Sequence, residues 1–189
     1  TFDLGVLTAV ARKLPILYGE NNMSEAAQYR KTAFYLHLFA KLIVSLGIVI
    51  YALIFYHKTN YFFAAMAAAV LVFLASIGES FIYFYQCAQD FVNLSTRLVA
   101  YWTFYVVFLI VGAYLANVKG LIIATALVYI LQAFILRKSL HGTAFGGKGS
   151  WTTKASKSLI SFALPFRLVD YPMSLAQVLD SMFVARFLG

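Results

Sequence analysis

Four almost uninterrupted apolar stretches, Phe34 to Tyr56, Tyr61 to Tyr85, Leu98 to Ala116 and Leu121 to Leu136, limit what this chain can fold into. Crossing the hydrocarbon core of a bilayer takes about 20 mostly apolar residues in a helix, which satisfies its own backbone polar groups where no water can. Each stretch is near that length. With 62% hydrophobic and 12% charged residues among 189, and a mean hydropathy of +0.82, a water-soluble fold would leave large apolar patches exposed. The expected class is an all-α integral membrane protein, a polytopic helical bundle.

The connections set the topology. His57-Lys-Thr-Asn60 and Asn117-Val-Lys-Gly120 are so short that the helices they join must return antiparallel. The connections at 86–97 (QCAQDFVNLSTR) and 137–157 are longer and more polar. The opening FDLGVLTAVARKLPILYG reads as the tail of a helix whose beginning is missing, and Ser161 to Gly189 as an apolar segment broken by Pro165 and Pro172. Helices are thus expected at about 1–18, 34–56, 61–85, 98–116 and 119–136, with a loop over 137–158. Arg12, Lys13, Arg30, Lys31, Arg97, Arg137, Lys138, Lys148, Lys154 and Lys157 fall on one side; Lys58, Lys119 and Arg186 fall on the other. The positive-inside rule makes the first side cytoplasmic. The net charge of +8 is spread between apolar runs and does not form a nucleic-acid footprint. Trp151 to Leu159 reads either as an interfacial segment, with Trp151 at the headgroups and Lys154 and Lys157 near anionic lipid, or as a solvated loop.

Several motifs lead nowhere. Gly142 to Gly149 (GTAFGGKG) approximates a phosphate-cradling loop, but Gly149 stands where Ser or Thr would ligate magnesium, and no strand precedes it. Asn93-Leu94-Ser95 fits a glycosylation pattern on the wrong side of the membrane. His37, His57 and His141 share no helical face, so neither a metal centre nor a catalytic triad is supported. Cys87 is expected to be a packing residue. Within 64–69 (AAMAAA), small side chains would let helices approach closely in lipid.

The informative residues are charges inside apolar segments, each of which costs about 2.5–3.5 kcal/mol at the bilayer centre on insertion scales. Ser76, Glu79, Tyr83, Gln86 and Asp90 recur at steps of three and four, on one helical face. Arg167, Asp170, Ser174, Gln177 and Ser181 repeat that spacing, with Asp180 beside them. Weaker stripes are His37, Lys41 and Ser45, and Thr125, Tyr129 and Gln132. Lys41, within about two turns of the membrane surface, is expected to snorkel to the headgroups. Pro172 removes a backbone donor and crowds the carbonyl of Leu168, and a break flanked by ionisable residues is the sequence pointer to a transport site.

Residues 2–33 resemble the second helix and following loop of Wzx-type polysaccharide flippases, in the multidrug and oligosaccharidyl-lipid exporter superfamily. FYQCAQDFVNLSTRL resembles the family's loop after its fourth helix, NVKGLIIATAL the turn into the sixth, and ALPFRLVDYPMSLAQVLDSMFVARFLG the seventh. The resemblance implies residues 1–158 as a partial N-terminal lobe of a two-lobed MATE-like transporter, and 159–189 as the first helix of the second lobe. It also implies a fragment of a larger protein in the cytoplasmic (inner) membrane, which flips undecaprenyl-diphosphate-linked oligosaccharide and neighbours a polysaccharide polymerase and chain-length regulator. Arg12 and Arg167 would hold the anionic headgroup, while Glu79, Asp170, Gln177 and Asp180 would shape the cavity or couple to H+ or Na+, with no other cofactor. The alternatives are a cation-coupled multidrug exporter of the same superfamily and a membrane-embedded polysaccharide polymerase or ligase. The longest connection lacks a carboxylate for acid or base work, which counts against an enzyme.

Overall fold

The computed structural model describes residues 5–59, 61–140 and 150–165, with the side chains of 138–140 excepted. Among them there are helices and short turns and no strand: α1, Val6–Gly19; α2, Met23–Phe55; α3, Phe62–Cys87; α4, Phe91–Leu140; and α5, 153–165. Helices α2, α3 and α4 are long and apolar enough to cross a membrane, yet only 17%, 17% and 6% of their most apolar windows is buried within the molecule. That outward apolar surface needs lipid or another protein against it. The described residues are all-helical, with three helices long and apolar enough to cross a membrane, as the apolar runs predict.

Helix α4 is a hairpin in itself. Ala116 (φ −145°, ψ 25°) and Asn117 (φ 50°, ψ −131°) leave helical geometry, and the chain doubles back there. The Arg97 guanidinium donates to the Ile135 carbonyl, and Gly112 lies against Gly120 and Ala124. In a straight helix the Arg97–Ile135 and Gly112–Gly120 pairs would stand about 57 and 12 Å apart. The arms are therefore the antiparallel pair expected on either side of Asn117 to Gly120. Two glycines permit the crossing: a Cβ on Gly120 would collide with the Gly112 carbonyl.

The polar stretches before residue 34 and at 86–97, expected as loops, are mostly helical. Each contracts to three residues through the same device. Helix α1 ends with Asn21 at φ 58°, its N–H donating to Tyr18 O (3.1 Å) and that of Asn22 to Leu17 O (2.9 Å). Helix α3 ends with Gln89 at φ 57°, its N–H donating to Gln86 O and that of Asp90 to Tyr85 O, both at 3.1 Å. Both are Schellman ends, which satisfy the last carbonyls with one left-handed residue. The next residue then starts a new helix. Asn22 accepts from Glu25 N–H (3.3 Å) and donates to its carboxylate (2.8 Å). The Asp90 carbonyl accepts from Leu94 N–H (3.1 Å), and its carboxylate takes the Asn93 amide at 2.9 Å. Sequence polarity in these stretches marks caps, which hydropathy alone reads as loop.

Turns 20–22 and 88–90 lie at one end of the bundle with Arg30, Lys31, Arg97 and Arg137; Lys58 and Lys119 mark the other end. The main core is at this basic end. There Val10, Leu14 and Leu17 of α1 meet Ala26, Tyr29 and Ala33 of α2, Phe84 and Cys87 of α3, and Leu159 and Ala163 of α5. Cys87 is a packing residue, as expected. Segment 151–159 belongs largely to α5, which docks on α1 through Ala155, Leu159 and Ala163, one turn apart. Of the alanines in 64–69 only Ala69 is buried, and its carbonyl accepts the Ser45 hydroxyl at 2.7 Å.

Two outcomes follow. Gln89→Gly, which removes the Cβ from a left-handed position, raises stability in detergent by about 1 kcal/mol, read as a higher unfolding midpoint. Gly120→Leu, which forces the arms of α4 apart, lowers it by about 1–3 kcal/mol in the same measurement.

Candidate functional site

The connection between α2 and α3 returns the chain antiparallel, and this hairpin sets a histidine and a lysine of α2 opposite one carboxylate of α3. Glu79 lies eight residues before the end of α3, about 12 Å along the helix from the basic end. Its Oε2 stands 3.6 Å from His37 Nε2 and 3.5 Å from Lys41 Nζ. The side chains of His37 and Lys41 are 1% and 5% exposed, whereas that of Glu79 is 41% exposed. His37 and Lys41 are one turn apart on α2, so a single oxygen serves both.

Lys41 does not snorkel. A carboxylate across the hairpin is within reach, and Nζ takes it while the stem stays buried. The stripe of His37, Lys41 and Ser45 is thus the face of α2 that meets α3, its third member bonding Ala69. The stronger stripe divides: Ser76 is buried and bonds Phe73 O (2.6 Å), Glu79 faces α2, Tyr83 and Gln86 are exposed, and Asp90 serves the start of α4. From α4, the Gln132 carboxamide fills the space a Cβ on Gly78 would need, beside Glu79 in the chain.

Of the residues singled out from sequence, Arg12 sits apart, with its guanidinium over the Phe162 ring (5.5 Å to the centroid) in a cavity between α1 and α5. Arg167, Asp170, Gln177 and Asp180, with the break at Pro172, lie outside the described residues, as does the glycine-rich 142–149. Sequence reasoning missed His37 and Lys41 as partners of Glu79. The signal was available in hairpin register, since these residues stand at comparable distances either side of His57 to Asn60. Among the described residues no group of three His, Cys, Asp or Glu is placed to hold a metal.

The chemistry of the cluster follows from its exposure. Two buried donors hold one carboxylate oxygen at distances longer than tight hydrogen bonds, and part of that carboxylate remains open. Such a group can exchange partners with an incoming cation or hydroxyl. Its removal strands Lys41: Glu79→Leu destabilises by about 3–5 kcal/mol, since an unpaired buried charge remains. Lys41→Met costs less, because Glu79 keeps His37 and some solvent. The double variant regains most of the loss, and a double-mutant cycle of unfolding midpoints in detergent checks this.

The chain matches no protein-family model, no characterised protein and no solved structure.

Proposed function

We propose that the chain is part of a Wzx-type flippase for lipid-linked oligosaccharides, in a MATE-like fold, with the basic end in the cytoplasm. In this reading residues 1–158 belong to the first of two lobes and 159–189 begin the second, which completes a polar cavity. The observation that carries it is the charge cluster of Glu79, His37 and Lys41 inside helices long and apolar enough to cross a membrane. Ionisable groups at that depth face a partner or a wet path, and Glu79 keeps an open side.

The proposed substrate is undecaprenyl-diphosphate-linked oligosaccharide. Its sugars and diphosphate would pass through the polar interior while the polyprenyl tail stays in lipid. Arg12 and Arg167 attract the diphosphate, and Glu79 with Asp170, Gln177 and Asp180 offers acceptors to sugar hydroxyls or to a coupling H+ or Na+. Rocking of the lobes alternates access, the general scheme for folds with a midplane site. The partners on this reading are a polysaccharide polymerase and a chain-length regulator at the inner membrane.

The test is export of the lipid-linked repeat unit in cells that carry the full-length protein. Glu79→Gln and Arg167→Gln each cut surface polysaccharide about tenfold or more per unit of membrane-inserted protein, matching the loss of one charged contact. Full export by both variants sinks the reading. Drug sensitivity with intact polysaccharide would point instead to a multidrug exporter.

A further inference from the structure

Helix α5 crosses its neighbours instead of running along them. At its start the Thr152 N–H lies 3.5 Å from Thr32 Oγ1, nine residues from the beginning of α2. Its second half borders Ala9, Arg12 and Ile16 of α1, and the Phe162 ring lies under Arg12, seven residues from the end of α1. Helices α1 and α2 meet at turn 20–22, so the two contacts lie about 14 and 10 Å from the basic end. Thr152 and Phe162 are themselves about 15 Å apart along α5. A helix that covers this length while its level changes by about 4 Å runs nearly across the bundle axis. Tyr29 supports the crossing, since it borders both the cavity beside Lys154 and Ala155 and the cavity beside Ser158 and Phe162.

That level is the edge of the hydrocarbon. Helix α2 has 33 residues and is about 50 Å long, of which the hydrocarbon core takes about 30 Å. Its apolar run starts at Phe34, about 16 Å from the basic end, so residues 23–33 stand in headgroups and water. The rings of Tyr35 and Trp151, 6.2 Å apart and both about half exposed, mark the boundary, where amphipathic rings concentrate. The sides of α5 differ accordingly. Lys154 and Ala155 border Asn22, Ser24 and Glu25 at the start of α2, so theirs is the water side, and Ser158 shares it in the cavity that reaches Ile16. Ile160 and Leu164, one turn apart and 42% and 54% exposed, come out on the other side, toward the acyl chains.

We infer that α5 is an in-plane interfacial helix whose partner is the phospholipid layer itself. Trp151 sits at the glycerol level, Ile160 and Leu164 enter the upper acyl chains, and the ammonium groups of Lys154 and Lys157 lie among the phosphates. Docked on α1 and α2 by its buried side, α5 sets the depth at which both helices stand in the bilayer. Helix α5 itself does not span the membrane, and this holds whatever the chain transports.

The experiment places one nitroxide at a time on the full chain in vesicles of phosphatidylcholine and phosphatidylglycerol, with Cys87→Ser removing the native thiol. Labels at Lys157→Cys and Leu164→Cys, two turns apart on one face, read depths equal within about 3 Å, whereas in a spanning helix they differ by about 10 Å. Labels at Ile160→Cys and Leu164→Cys collide with oxygen dissolved in the lipid, and a label at Ser158→Cys collides with a water-soluble nickel complex. A second measurement leaves Cys87 intact: Trp102→Phe makes Trp151 the single tryptophan, and bromine on the upper acyl chain quenches it about twofold more than bromine near the methyl ends. A depth difference near 10 Å, shielding of Ile160 and Leu164 from both relaxants by a protein partner, or stronger quenching of Trp151 by the deep bromine overturns the inference.

Discussion

A backbone that enters a bilayer must close every hydrogen bond within the protein, and the architecture follows from how this chain does so at its turns. Helix ends are the weak points, because each leaves four donors or acceptors without intrahelical partners. At 20–22 and 88–90 the chain spends one left-handed residue on the finished helix and the next residue on starting another. Long helices can then follow each other with almost no loop. The price is a strained side chain at Gln89, where glycine would be free of penalty.

Compact turns fix register, and register brings Glu79 opposite His37 and Lys41. In water such an exposed pair would add little to stability. Here Lys41 is buried, so the carboxylate is a condition for α2 and α3 to pack at all in their present alignment. The pairing also resists a slip along the hairpin, since a shift of one residue would rotate His37 and Lys41 away from α3. Glycines at 112 and 120 do the corresponding work in α4 by close approach instead of charge.

Much of this was legible in the sequence. The apolar runs pointed to helices able to cross a membrane, and Asn117 to Gly120 to the hairpin within α4; His37, Lys41 and Ser45 stood out as a weak polar stripe, and the structure makes that stripe a packing face. Helix ends were misjudged for a definite reason. Hydropathy registers Asn22, Glu25, Asp90 and Asn93 as polar, although their role is to cap helices that extend past the apolar run. Lys41 was misjudged because one-helix reasoning compares a side chain with water and lipid only, and the deciding partner stood on the returning helix. Arg12 and Glu79, read as members of one site, occupy different surroundings, because Arg12 lies on the face of α1 turned to Phe162 of α5 while Glu79 lies on the face of α3 turned to His37 and Lys41 of α2.

The uneven placement of the core has a mechanical side. In α2 the buried residues run from Ala26 to Lys41 and then stop until Ala52; in α3, apart from Ala69, they begin at Ser76 and run to Cys87. Helices α2 and α3 are therefore packed closely at the basic end and sparsely at the other. Toward the far tips of α2 and α3 the contacts thin to the Ser45 to Ala69 bond and the buried Ala52. The carboxylate thus stands where the closely packed half of the α2–α3 hairpin gives way to the half whose surface faces outward.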